Sequence, residues 1–505
     1  DDDPVRLVAL AGACAAFLVA AGVASASPRF GVAEDATKYA DDGGASLYPR
    51  IQAAGMVENR FTVRWNPADP TAIQEQGFLD RSLPAAARAG MRIVFDVYPL
   101  DAFAFSSSPA TRAGLFAAYL QTLARRYPQV DDYIVGNEPN ESYFWQPQFG
   151  AAGEVVSAAA FLPVMTAAYD ALKAVRPGIR VIAGGPSNEG NDKTSTSPVR
   201  FLNALGEAYR ASGRTAPFMD ALGFHVYPRV NTNPPSKEFS WPNAGGADLA
   251  RVKQAVWDAF AGTAQPTFPE GLATPGAGSL GLVVDEFGWQ VEIGAAHLSH
   301  YHGAENVPTI SEAEQATYYA ELVRTLACDP AVTDAMVFHL VDERDLGRFQ
   351  TGLLRLDGSE RPSYGAMRAA IASAPSCGPL AAWSHASGVV GAQAIFDTRS
   401  QPARRAVFGF SATAGEDAVA KAGIFRVSGS RAKAMTREID RSLASLEGAA
   451  KPVLTALTDV KAGYTPRMEF RGRLTPGRYV FGVRLTAAMN RGRSQTLVSK
   501  PFRVG

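Results

Sequence analysis

Short apolar runs rich in Val, Ile, Phe and Ala recur through the first three-quarters of this chain, each followed by a longer amphipathic stretch. Runs that are apolar on both phases of the strand period suit a sheet buried on both faces. Eight strands are predicted: Phe30–Ala33, Arg60–Trp65, Met91–Tyr98, Asp132–Asn137, Arg180–Gly184, Ala221–Tyr227, Gly281–Glu286 and Asp334–Leu340. Between them, Ala113–Arg126, Ala158–Val175 and Glu312–Leu326 read as core-facing helices. Pro-containing exits such as Val175-Arg176-Pro177-Gly178 stop several of them. Eight strand–helix units in about 350 residues predict an α/β fold, a (β/α)8 barrel over residues 27–377. An open doubly wound sheet is the other arrangement of such units, but it wants a Gly-rich phosphate loop after its first strand, and none follows Ala33.

Beyond Cys377 the pattern shortens and alternates. Ala406–Ala412, Gly423–Val427, Arg467–Arg473 and Tyr479–Thr486 read as half-buried strands, with Leu474-Thr475-Pro476-Gly477 as a turn into the last. Residues 378–505 are therefore expected to form a small C-terminal all-β sandwich, with a helical insert over Lys433–Leu446.

The ends and the cysteines add a compartment. Leu7 to Ala24 is an apolar run, and Ala24-Ser25-Ala26 supplies a small-x-small cleavage site before Ser27, so residues 1–26 read as a signal peptide. An uncleaved membrane anchor is the alternative, weakened by the many Ala and Gly in the run. A secreted or envelope-associated protein is expected. Cys328 and Cys377 then remain; they can pair, and they are too few for a metal cluster.

With 505 residues, 47% of them hydrophobic, the chain can build a large core and more than one domain. Its formal net charge of zero argues against nucleic acid as a partner. The charge is nevertheless split. From Gly378 onward there are 20 Lys and Arg against 8 Asp and Glu, leaving 29 against 41 in the rest. A basic tail domain on an acidic barrel can serve docking between the two, or can hold an anionic cell-wall polymer.

Active sites of such barrels lie where the strands end. The fourth predicted strand runs into Asn137-Glu138-Pro139-Asn140, and the seventh ends in Asp285-Glu286-Phe287-Gly288. A carboxylate at the end of an apolar strand must face a polar cavity or find a partner, because buried unpaired charge is costly. Two of them across one barrel mouth can flank a glycosidic bond, one as acid and one as nucleophile or base.

Asn137-Glu138-Pro139 after strand four and Glu286-Phe287-Gly288 after strand seven resemble the large clan of retaining (β/α)8 glycoside hydrolases, clan A, including its family 5-like and family 39-like members. The resemblance covers roughly residues 29–375 and not the tail. It implies Glu138 as general acid/base, its pKa raised by its surroundings, and Glu286 as an ionised nucleophile. It further implies Arg64 and Tyr227 beside the nucleophile, His225 close to the acid/base and the sugar, and Asn137 on the sugar 2-hydroxyl. At strand eight the clan usually has a Trp floor, where this chain has Phe338-His339-Leu340, so either His339 takes that place or the register differs. Sugar faces pack on aromatic rings, and Trp145 and Trp289 are the candidates whose loops follow the two glutamates.

The implied partner is thus a poly- or oligosaccharide cleaved by double displacement, without a cofactor. A catalytically inactive carbohydrate- or wall-binding protein on the same barrel is the alternative. His297, His300 and His302 cluster after strand seven, but their spacing fits no known zinc pattern and no metal is expected. Neither a Gly-x-Ser-x-Gly elbow nor a P-loop is present.

Overall fold

The computed structural model describes residues 28–373, 377, 382–398, 406–427, 432–445, 452, 454–464, 467–490 and 492–505. The predicted signal peptide lies outside these residues. Eight parallel strands close into a barrel in the order of the chain: β1 (Arg29–Ala33), β2 (Glu58–Trp65), β3 (Arg92–Pro99), β4 (Asp132–Val135), β5 (Arg180–Ala183), β6 (Ala221–His225), β7 (Gly281–Phe287) and β8 (Val332–Val337). β8 returns to pair with β1, with Arg29 opposite Asp334. The (β/α)8 expectation holds, and each predicted strand overlaps an observed one.

Strand alternation sorts side chains into two shells. Phe61, Val63 and Trp65 of β2, and Phe95 and Val97 of β3, face outward and pack under the surrounding helices. The inward phase fills the barrel in layers. At the bottom, Arg29 bonds to Glu58 (3.2 Å) and to Asp334, Arg180 bonds to Asp334 (2.6 Å), and Arg92 bonds to Asp132. Above this ionic plug sits an apolar layer of Val94, Ile134, Ile182, Ala221, Val283 and Met336. Above that again the interior turns polar.

The helices follow local pattern. Pro109–Arg126, Ser157–Val175 and Glu312–Ala327 include the predicted spans. Ser311 starts the last of these with a capping box, its hydroxyl accepting from the Glu314 N–H while Glu314 reaches back. Just past this helix, Cys328 is disulfide-bonded to Cys377, with Cα atoms 5.5 Å apart.

The C-terminal strands are antiparallel: β9 (Gln393–Asp397), β10 (Ala406–Thr413), β11 (Ala418–Arg426), β12 (Leu454–Val460), β13 (Arg467–Gly472), β14 (Gly477–Ala487), β15 (Ser494–Val498) and β16 (Phe502–Val504). They form sheets β13-β10-β9 and β12-β11-β14-β15, with β16 added to β14. Phe410 of the first sheet meets Phe481 of the second, ring centroids 5.5 Å apart, in the core of the expected sandwich. The helical insert spans Ala432–Ser445; Leu446 lies outside the described residues. β9, β12, β15 and β16 were not among the predicted strands.

Candidate active site

β4 ends at Val135, and Gly136 follows with φ +85°, a left-handed turn that L-residues avoid. A Cβ there would also meet the Phe161 ring at 2.9 Å. This turn carries Asn137 and Glu138 over the barrel mouth. Glu138 itself has φ +39°, uncommon for a residue with a side chain, and its N–H donates to Gly185 O at 3.1 Å. Asn140 pins the loop: its amide bonds to Ser187 O (3.2 Å) and Thr196 O (2.8 Å) and accepts from Ser187 N–H (2.7 Å). Two strands meet this rim, and Glu138 is held by backbone on both sides.

β7 delivers two acids to one interior. Asp285 follows the inward phase of Val283. Simple alternation would turn Glu286 outward, but the pairing of β7 shifts register against both neighbours: against β6 between Gly223 and His225 of that strand, and against β8 between Val284 and Phe287 of β7 itself. Such a bulge re-aims a side chain, and Glu286 points into the barrel beside Asp285.

The polar layer is one connected network. Arg60 Nη2 donates to Glu286 Oε1, and Arg60 Nη1 lies 3.4 Å from Asp285 and 3.3 Å from Asp96. Tyr227 Oη donates to Glu286 Oε2 at 2.9 Å. His225 Nδ1 is 2.7 Å from Glu138 Oε1 and 3.5 Å from Glu286 Oε2, and its Nε2 is 3.4 Å from Asp285. Because one nitrogen lies at those two distances, the Glu138 and Glu286 oxygens are within about 6.2 Å of each other, the sum of the two.

Burial by itself would raise the Glu286 carboxyl, but the charges of His225 and Arg60 outweigh it and hold it below the usual range. Asp285 is held low by the same two cations against its own burial. Burial would lower the His225 imidazole, but Glu286 and Asp285 raise it well above its ordinary value. Tyr227 is pushed far up by burial and by the Glu286 charge, and it stays a donor. Asp96 goes the other way. Although Arg60 is near, neither Asp96 oxygen accepts a hydrogen bond, and burial pushes it up to about 8. The Arg60 charge lowers Asp96 by less than burial and the neighbouring Asp285 and Glu286 charges raise it.

The network floors an open cavity of about 1230 Å³. Asn137 is buried on its wall, with a side-chain oxygen that has no hydrogen-bond partner among the described residues. Aromatic sides come from Tyr98, Tyr143, Phe144, Phe338 and Phe349. Among the described residues no group of three or more His, Cys, Asp or Glu is arranged to hold a metal ion.

Glu138, Glu286, Asn137, His225 and Tyr227 are brought together as the sequence suggested. Three expectations change. Arg64 does not touch Glu286; it lines the cavity, donates to Pro99 O (3.1 Å) and covers the Tyr98 ring at 4.4 Å. Arg60 takes its place because both face inward on β2, and Arg64 is four residues, about 13 Å, nearer the mouth. Trp145 and Trp289 do not line the cavity. Trp145 stacks on Phe105 at 5.0 Å, and Trp289 packs on Tyr318 and Tyr319 with its indole N–H on Asn233 O. Both fill core, 4% and 1% exposed. His339 does line the cavity, but it bonds sideways to Ala33 O (2.7 Å), and Phe338 is the ring set against Tyr227.

Arg60, Asp96 and Asp285 were missed as site residues. Their signal was present: each is a charged residue type on the inward phase of an apolar strand, which must find an opposite charge inside or be neutralised.

No family model and no curated protein matches the sequence. Among solved structures, a β-glucuronidase from Bacteroides uniformis aligns with TM-score 0.43 at 11% identity, over 94% of this chain and 45% of its own. This chain therefore spans less than half of that enzyme's length. A glucosidase from Croceicoccus marinus aligns with TM-score 0.45 at 12% identity, over 89% and 93% of the two chains. Xylanase 10B from Thermotoga maritima aligns with TM-score 0.42 at 10% identity, over 69% and 95%. The overlap at these scores is loose.

Proposed function

We propose that this chain is a glycoside hydrolase that retains anomeric configuration, with Glu286 as nucleophile and Glu138 as general acid/base. The observation that carries it is the shared His225 nitrogen, which brings one oxygen of Glu138 and one of Glu286 within about 6.2 Å of each other across an open cavity. Retention calls for about 5–5.5 Å between the carboxyl groups, inversion for about 6.5–9.5 Å.

In the first step Glu286 attacks the anomeric carbon, the glycosidic C–O bond breaks, and the Glu138 proton passes to the leaving oxygen. In the second, water attacks that carbon, its proton goes to Glu138, and the ester to Glu286 breaks. The charge Glu286 loses on forming the ester is one less to repel the charge Glu138 gains. Arg60, Tyr227 and His225 keep Glu286 ionised before attack and accept it back as a leaving group. The unbonded Asn137 oxygen fits a sugar hydroxyl that strengthens its bond in the transition state.

Labelling tests this directly. A 2-fluoro glycoside that the enzyme accepts should attach to Glu286, and attachment at any other residue, or inverted product from an ordinary substrate, overturns the reading. The substrate is a poly- or oligosaccharide outside the cell. The apolar segment 7–24 and the Cys328–Cys377 disulfide support export. The basic C-terminal domain is assigned a hold on anionic wall polymer, so deleting residues after 377 should abolish wall retention.

A further inference from the structure

Bond cleavage leaves one feature of the cavity unused: its charges are not evenly matched. The carboxylates on its wall have partners. Asp35 meets Lys38 at 3.2 Å and accepts the Thr62 N–H at 3.0 Å. Asp342 takes both arms of the buried Arg361 at 2.6 Å. Glu34 accepts three backbone N–H groups, and Glu141 accepts the Ser195 hydroxyl. Glu343 faces His339 Nε2 at 3.5 Å.

Three arginines on the same wall have no such answer. Arg64 makes one bond, to a carbonyl, and its Nε is buried without an acceptor. The Arg344 and Arg348 side chains make no hydrogen bond or ion pair among the described residues. Arg64 lies next to the last residue of β2 at the mouth, the other two lie on the loop after β8, all three line the same cavity, and β8, β1 and β2 are neighbours. That loop is fixed. His302 N–H donates to Arg344 O (3.1 Å), Leu346 N–H donates to His302 O (2.8 Å), and Gln350 bonds to the Glu343 and Asp345 carbonyls (3.1 and 2.7 Å).

A guanidinium offers a planar fork that matches carboxylate and sulfate oxygens. A neutral glycan would make no ionic use of three cations that stand at its own binding wall. The geometry points to an anionic glycan as substrate, one whose sugar carries a carboxylate or a sulfate ester held by Arg64, Arg344 and Arg348. This rests on the glycosidase reading for its chemistry, but not for its binding.

Calorimetric titration of the full chain carrying Glu286→Gln separates the two. The probes are oligosaccharides of matched length: neutral xylo-oligosaccharides, their glucuronic-acid-bearing forms, neutral galacto-oligosaccharides, and sulfated ones. Binding of an acidic form at least tenfold tighter than its neutral counterpart is expected, with the uronate and sulfate arms telling which anion is read. The double variant Arg344→Ala, Arg348→Ala should lose that preference at least tenfold, and both residues are exposed, so folding is not at risk. Equal binding of neutral and acidic forms, binding of neither, or a preference that survives the double variant and so belongs to the basic C-terminal domain, each overturns the inference. Wild-type turnover on the same panel tests the glycosidase reading separately. Acidic forms bound but never cleaved would sink that reading and leave this one standing, whereas neutral forms alone cleaved would do the reverse.

Discussion

The proposed division of labour between the two glutamates rests on single atoms. Glu286 accepts the Tyr227 hydroxyl and Arg60, whereas the nearest partner of Glu138 is the His225 ring. Tyr227→Phe removes one donor to the ionised Glu286 without opening a cavity. We expect kcat to fall about ten- to a hundredfold and the acidic limb of the kcat/KM profile to move to higher pH, because Glu286 loses a group that favours its charged form. A pH–rate profile of both proteins measures this. Asp96 makes an opposite prediction about stability. Its folded pKa, about 8, lies above the usual carboxylate range. A raised group contributes stability that is whole below the unfolded pKa and is lost as pH rises through the folded one. The melting temperature of the wild type should therefore decline between about pH 4 and 8, and Asp96→Asn, which cannot ionise, should flatten that decline. Parallel melting curves across that window would sink the assignment.

At the scale of elements, the site depends on how strands end. The Gly136 turn closes β4 and lifts Glu138 over the mouth, and the β7 register shift swings Glu286 inward against simple alternation. The loops after these strands carry Trp145 and Trp289, and helix packing decides where those rings go. Trp289 sits on Tyr318 and Tyr319 of the Glu312–Ala327 helix, and so ties the β7 loop to that helix. Trp289→Ala should cost about 3–5 kcal/mol of stability, as large buried truncations do. Its effect on catalysis should come through lost fold rather than through KM, which denaturant melts and kinetics on the remaining folded fraction distinguish. Tyr143 and Phe144, exposed or lining the cavity, are the rings where truncation should act on KM instead.

Over the whole molecule, the uneven charge has one visible use. Arg493 of the C-terminal sheets forks between Glu416 of its own domain (2.6 Å) and Asp258 of the barrel (2.8 Å), all three buried. Asn490 adds a bond to Asp258, and Trp257 of the barrel stacks on His385 at 3.9 Å. Removing the cation leaves two carboxylates buried together, a loss of about 3–5 kcal/mol. Arg493→Ala should therefore add an early transition to the calorimetric melt as the C-terminal sheets come away, while activity persists below it. A single unshifted transition would mean that this triad does not couple the two parts.

The sequence by itself determined the strand count, the closed barrel and the two glutamates at strand ends, because strand and helix periods are local and each buried run declares itself. Asn137, His225 and Tyr227 were legible for the same reason: they sit at or near the last inward positions of their strands. Arg60 was not, although its inward phase was visible. Which arginine of β2 reaches Glu286 depends on depth along the strand, and depth is set by pairing between strands distant in sequence. The inward turn of Glu286 has that same origin, in a bulge created by two neighbours. The tryptophans were misjudged because burial is a property of what packs around a ring, not of the loop that carries it. The unmatched arginines needed the tertiary structure as well: a charge is free only when every partner within reach has been counted.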